Sequence, residues 1–322
     1  MSSSLFIKLQ ERIELALKSE FGIKLIEHVK LTMSSRINQQ ILKYVKDIYY
    51  GSSFVENKLD IYMPDNTVGS TFYGSTTTFY PVIIFFYGGG WAVGSKNIHQ
   101  FLGMRLSQMG YVVVIPDYTK YPKTNIDGII SDFKRAVVWT KKSINEYGGD
   151  PNNIYLMGHS AGAHTSIFTI IRDVIYKSRN DEGKTNTELY DIDPEWNLPK
   201  ISGLILMSGC YDMPKHYEFE VSIGFEDLSS MSRVMGNTQE SLVKNSPLLL
   251  IQDIANNKLI NINQVKNLMP KKIFIIHGDQ DLPIKELKFK IYQDKGHDEI
   301  VYDMMNLSNP ELVADFKEFM SV

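Results

Sequence analysis

Apolar residues in this chain fall into short continuous runs, separated by longer stretches in which they recur at helical spacing. Residues 82–86 (Val-Ile-Ile-Phe-Phe), 111–115, 153–157, 201–207 and 272–276 are such runs. Runs this short and this apolar predict strands covered on both faces. Residues 58–64 add a further strand, and 287–292 an apolar stretch near the C-terminus. Helices are predicted near 97–109, over 127–146, and from 161 to at least 171. Strands alternating with helices imply a mostly parallel central sheet with helices on both faces, an α/β fold.

The intervening segments set the expected domain organisation. Residues 4–48 carry apolar positions at helical spacing among lysine and glutamate, predicting two helices broken near Phe21-Gly22. Segment 1–50 is therefore expected as an N-terminal helical piece and a candidate cap, with 51–322 as the α/β domain. Residues 65–80 are rich in Ser, Thr and Gly and predict a polar loop. Residues 178–199 form a polar surface insertion, and 211–262 a mostly helical cap insertion. Met213, Phe219, Phe225, Met231 and Met235 within it suit either a pocket lining or plain core.

Composition narrows the function classes. The chain has 322 residues, 43% hydrophobic, enough for a large core. A formal net charge of -3 gives no electrostatic reason to expect nucleic acid or an acidic membrane as partner. One cysteine, Cys210, excludes an internal disulfide framework and suits a reducing, cytoplasmic setting. No apolar run has the length of a signal peptide core or a membrane span.

The chemistry centres on Gly158-His159-Ser160-Ala161-Gly162, a G-x-S-x-G between a predicted strand and a predicted helix. In that context it is a nucleophile elbow: a turn so tight that the serine hydroxyl projects above the sheet. Tyr87-Gly88-Gly89-Gly90-Trp91 follows the strand at 82–86. Unobstructed backbone amides at such a place suit oxyanion stabilisation, so Gly88, Gly89 and Gly90, with Ala161 after the serine, are the expected oxyanion hole. Tyr87, Trp91 and His159 flank these groups and are expected to contact substrate. No His, Asp or Glu set shows metal-ligand spacing, and no organic cofactor is implied.

These motifs, with Gly148-Gly149-Asp150-Pro151 and His277-Gly278-Asp279-Gln280-Asp281, resemble the carboxylesterases of the α/β-hydrolase fold. The stretch from Tyr147 to His164, and Ser208-Gly209-Cys210-Tyr211-Asp212 followed by His216-Tyr217-Glu218, is similar to the isoprenylcysteine methylesterase-like branch. Arylformamidases share much of the pattern. The resemblance spans residue 50 to the C-terminus and implies an α/β-hydrolase domain and a Ser, Asp, His order of catalytic residues.

Of seven histidines, His297 is the best placed as base, in a loop after the last apolar stretch. His164, four residues past the serine on the same helix, points toward packing and is expected to be structural. Asp279 and Asp281 are the acid candidates, and the family pattern selects Asp281. Only 16 positions separate Asp281 from His297. If a strand starts near Leu287, five residues are left for a crossover that ordinarily needs a dozen. The expected function is a serine carboxylesterase acting on a small-molecule ester, such as a prenylcysteine methyl ester or a small acyl ester. The alternatives are an arylformamidase-type amide hydrolase, or a non-catalytic binding protein of the same fold in which the short segment misplaces His297. The oligomeric state is not encoded in any motif.

Overall fold

The computed structural model describes residues 43–51, 56–65, 79–178, 197–257, 260–278, 290–292 and 295–321. All lie within the unit Lys43–Val322. The helices expected over 4–42, the loop at 66–78 and most of the 178–199 insertion lie outside the described residues, as do Asp279 and Asp281.

Eight strands form one sheet: β1 (Lys43–Tyr49), β2 (Lys58–Met63), β3 (Tyr80–Phe86), β4 (Val112–Pro116), β5 (Gly149–His159), β6 (Gly203–Met207), β7 (Lys272–Gly278) and β8 (Lys290–Tyr292). Their order is β1-β2-β4-β3-β5-β6-β7-β8. β1 pairs with β2, and β2 with β4, antiparallel; every other pairing is parallel. Every residue of β4 and β6 is buried, as are the last five of β3. Successive strand residues point to opposite faces, so both faces of this centre are covered.

The helices follow as α1 (Gln100–Gln108), α2 (Ile126–Ser143), α3 (Ala161–Lys177), α4 (Met213–Ser222), α5 (Met231–Met235), α6 (Gln239–Lys244), α7 (Pro247–Asn256), α8 (Ile262–Leu268), α9 (Glu299–Asn306) and α10 (Pro310–Met320). α3 lies in the deepest position: its residues from Ala161 to Ile175 are all buried. The 211–262 insertion is helical as expected, and Met213, Met231 and Met235 are core residues, at most 3% exposed. Phe225 is exposed at 46%.

One element departs from expectation. Residues 43–48, expected as helix, are the edge strand β1. Its outer face meets solvent, so polar residues there imitate an amphipathic helix, and pairing with β2 decides the matter. A bulge between Val45 and Ile48 puts Asp47 at φ 59°. Lys96 closes this corner, reaching Asp60 at 2.7 Å and Asp47 at 3.0 Å. At the C-terminal edge, β8 pairs parallel with β7 in the register His277↔Ile291. The strand start expected near Leu287 and the connection from Asp281 lie outside the described residues.

Register now decides where chemistry can occur. Phe86 lies beside Gly158, Gly158 beside Leu206, and Leu206 beside Ile275. The carboxyl ends of β3, β5, β6 and β7 thus finish level. In open parallel sheets the crevice beyond those ends is where ligands bind.

Candidate active site

Ser160 stands between β5 and α3 with φ 51° and ψ -120°. Such a backbone is rare for a residue with a side chain and persists because its surroundings over-determine it. Its amide donates to the Met207 carbonyl at 2.9 Å, tying the turn to β6, and its carbonyl accepts from His164 N at 3.0 Å, starting α3. Gly88 lies hard against it: a Cβ added there would sit 2.8 Å from Ser160 Cβ. A side chain at position 88 is excluded, which leaves the glycine backbone against the serine.

His297 arrives from the far end of the sheet. After β8 the chain crosses the end of β7, where Gly278 packs on the Lys295 backbone so closely that any Cβ would collide with its carbonyl. Glu299 accepts from Gly296 N at 2.6 Å, and Lys295 pairs with Asp303 at 2.9 Å, fixing both sides of the loop. The His297 ring then lies with Nε2 2.8 Å from Ser160 Oγ. This is the separation that proton transfer between a hydroxyl and an imidazole requires. The separation expected of a misplaced base is not observed.

The glycine loop is clamped from behind. Trp91 Nε1 donates to Thr165 Oγ1 at 2.9 Å, and Thr165 Oγ1 donates to the Ala161 carbonyl at 2.8 Å. Trp91 also meets the His164 ring edge-on at 5.2 Å. Ser230, just before α5, donates to the Gly90 carbonyl. Tyr87 turns inward, its hydroxyl donating to Asp117 Oδ1 at 2.5 Å while its ring stacks on His99 and Tyr118. Burial, with Tyr118 and Asp117 nearby, holds this phenol protonated far above its ordinary range. Tyr87 and Trp91 are both buried, at 0% and 3%. Their side chains support the loop from within the fold.

His159 is also turned to structure. Its Nε2–H donates to the His297 carbonyl at 3.0 Å, with Asp298 Oδ1 3.5 Å away. No local motif signals this contact, because its partners are 138 positions apart. His164 is fully buried and donates from Nε2 to the Asn245 carbonyl at 2.9 Å, as its helical position predicted. Burial depresses its pKa to about 4, against a smaller raising effect from that carbonyl.

Among the described residues, His159, His297 and Asp298 bring possible metal-ligand atoms within 4.8 Å, a grouping that linear spacing did not suggest. Both imidazole Nε2 atoms are engaged elsewhere, on the His297 carbonyl and on Ser160 Oγ. The arrangement suits a nucleophile and its base better than a cation.

Residues 59–289 match the BD-FAE family, well over half of the chain. The chain belongs to the BD-FAE family of α/β-hydrolases. It is similar to the probable isoprenylcysteine alpha-carbonyl methylesterase ICMEL1 of Oryza sativa subsp. japonica, 29% identical over 77% of this chain and 52% of that protein. It is also similar to the kynurenine formamidase of Danio rerio, 34% identical over 52% of this chain and 46% of that protein. The chain spans about half the length of the curated relatives it matches. Among solved structures, esterase B of Lactobacillus rhamnosis superposes with a TM-score of 0.66 at 16% identity, covering 97% of this chain and 94% of that one. At that identity the likeness is one of fold, and it agrees with the α/β-hydrolase architecture above. No helix among the described residues is long and apolar enough to cross a membrane.

Proposed function

We propose that this BD-FAE family member is a serine carboxylesterase working through an acyl-enzyme. The observation that carries this reading is the 2.8 Å approach of His297 Nε2 to Ser160 Oγ at the carboxyl edge of the sheet. Ser160 Oγ attacks the ester carbonyl carbon while His297 takes its proton. The carbonyl oxygen becomes an oxyanion, received by backbone amides of Gly88, Gly89, Gly90 and Ala161. His297 returns the proton to the alcohol as the carbon–oxygen bond breaks. Water, deprotonated by the same ring, then releases the acid. Asp281 is assigned as the carboxylate that orients His297, on the strength of its place in the family motif.

The substrate class follows the relatives' names. Those of the methylesterases support a small carboxylic ester, with a prenylcysteine methyl ester as one candidate. The formamidase relative has the higher identity over a shorter span and supports an aryl formamide as the second reading. A cytoplasmic setting belongs to the same proposal, supported by the lone cysteine.

The test is labelling by a fluorophosphonate probe, with hydrolysis of p-nitrophenyl acetate, p-nitrophenyl butyrate, a prenylcysteine methyl ester and an aryl formamide in parallel. Wild type should label and turn over at least one ester, and Ser160→Ala should do neither. A folded wild type that neither labels nor hydrolyses any of the four would overturn the reading. Turnover of the formamide alone would favour the amide hydrolase.

A further inference from the structure

Three consecutive residues of the glycine loop have positive φ: Gly89 at 115°, Gly90 at 55° and Trp91 at 60°. Glycine adopts such angles freely, whereas a bulky residue does so only where its surroundings hold it. Peptide planes in a run of this kind keep one orientation when their carbonyls are tied. Two of the three are tied by nearby backbone. The Gly89 carbonyl accepts from the amides of Ala92 and Val93, each at 3.0 Å, and the Trp91 carbonyl accepts from Tyr121 N at 3.0 Å.

The carbonyl between them takes its donor from a different part of the chain. Ser230 Oγ donates to the Gly90 carbonyl across 140 positions. A Cβ built on Gly90 would lie 3.4 Å from the same oxygen, so the hydroxyl covers this residue's flank as well as its carbonyl. Ser230 is the N-cap residue of α5, where a serine ordinarily accepts from an amide in the first turn of its own helix. It makes no such bond. Ser229 accepts from Met231 N at 3.1 Å instead, and donates to the buried Glu220 at 2.6 Å. The Ser230 hydroxyl is turned to the glycine loop.

We propose that Ser230 is a positioning residue for the ester chemistry, fixing the backbone of Gly90 where the oxyanion is received. The proposal rests on the serine-esterase reading above and extends it to the chain that follows β6. Each peptide group is planar, so a tied carbonyl fixes the amide that shares its plane. The Gly89 carbonyl holds the plane that carries the Gly90 amide, and the Gly90 carbonyl holds the next one. Ser230 thus bounds the φ and ψ of the glycine between two held planes. Water can solvate the Gly90 carbonyl if the hydroxyl is removed, but it does not hold the plane. The loss then falls on oxyanion formation rather than on substrate binding.

The experiment compares wild type, Ser230→Ala, Ser230→Thr and Ser222→Ala in steady-state hydrolysis of p-nitrophenyl butyrate, with Tm on the same preparations. Inhibition by an aliphatic trifluoromethyl ketone, which adds to Ser160 Oγ and leaves an oxyanion in the hole, is measured in parallel. Ser230→Ala should lower kcat by about tenfold with KM within about twofold, and weaken the ketone by the same factor as kcat/KM. Ser230→Thr, which keeps the donor, should restore most of both. Ser222 lies on α4 and donates to the Phe219 carbonyl, away from the loop, so Ser222→Ala should match wild type. If Ser230→Ala fails to fold, Ser230→Gly takes its place, since glycine is well tolerated at an N-cap. A folded variant without the hydroxyl that keeps wild-type kcat and ketone affinity overturns the proposal and leaves the esterase reading standing. A loss carried by KM alone, with kcat unchanged, also overturns it. A wild type with no serine-dependent turnover or fluorophosphonate labelling overturns both.

Discussion

His159 holds His297 by its backbone: the side chain of the residue before the nucleophile donates to the carbonyl of the base's own residue, at 3.0 Å. The elbow thus presents Ser160 outward and, with the neighbouring side chain, grips the loop that must meet it. A hydrogen bond of this kind fixes distance more than it adds stability. His159→Ala is therefore expected to lower kcat by roughly tenfold to a hundredfold with little change in KM. His159→Gln, which can still donate, should restore part of it. Steady-state kinetics on a p-nitrophenyl ester make the comparison, and unchanged kcat in both variants would show that the contact does not position the base.

Gly88 tests the other side of Ser160. Alanine there would put a carbon 2.8 Å from Ser160 Cβ and 3.0 Å from His159 Nδ1. Either the glycine loop or the serine has to move. Gly88→Ala should cost about a hundredfold or more in kcat/KM, out of proportion to any fall in Tm. Activity and thermal melts on the same preparation separate the two effects.

The Trp91–Thr165 bond is a prediction about the support behind the loop. Trp91→Phe keeps the ring contact with His164 but loses the donor to Thr165 Oγ1. The loss should be about 1 kcal/mol, measured by urea unfolding. A double-mutant cycle with Thr165→Val should show coupling between the two positions, because they share one hydrogen bond.

Acid should act on stability through His164. Its folded pKa, about 4, lies below the ordinary 6.5, so the unfolded chain takes up the proton first as pH falls. The protection is complete above pH ~6.5 and is lost progressively down to about 4, by an amount on the order of a few kcal/mol. His164→Gln should be less stable at pH 7, having lost a fitted buried ring, yet should show a shallower fall across that window. Tm against pH for the two proteins gives the slopes directly.

Much of this architecture was legible in the chain because its signals are local. The run at 82–86 reads as a buried strand since every residue in it is apolar, and β3 contains it. The Gly-x-Ser-x-Gly turn carries its own geometry, and Ser160 adopts the positive φ that such a turn imposes. His164 was readable as structural because helical spacing aims it at the interior. Edge strand β1 was not, since its solvent-facing lysines and tyrosines are compatible with helix until a partner strand claims them. Tyr87 and Trp91 stand beside the glycines in sequence, but packing buries both rings and gives them partners far along the chain.

The amino-acid sequence by itself determined the sheet's central strands, the strained serine and the glycine loop, because each depends on neighbours within a few residues. Only the tertiary structure decided that His297 reaches Ser160 and that His159 holds the loop in place. Those contacts arise where strand ends come level and loops from distant positions cross them. Their geometry is set by sheet register and by packing such as Gly278 against Lys295. Hydrophobic periodicity encodes which face is buried, but it carries no term for which two loops will meet above it.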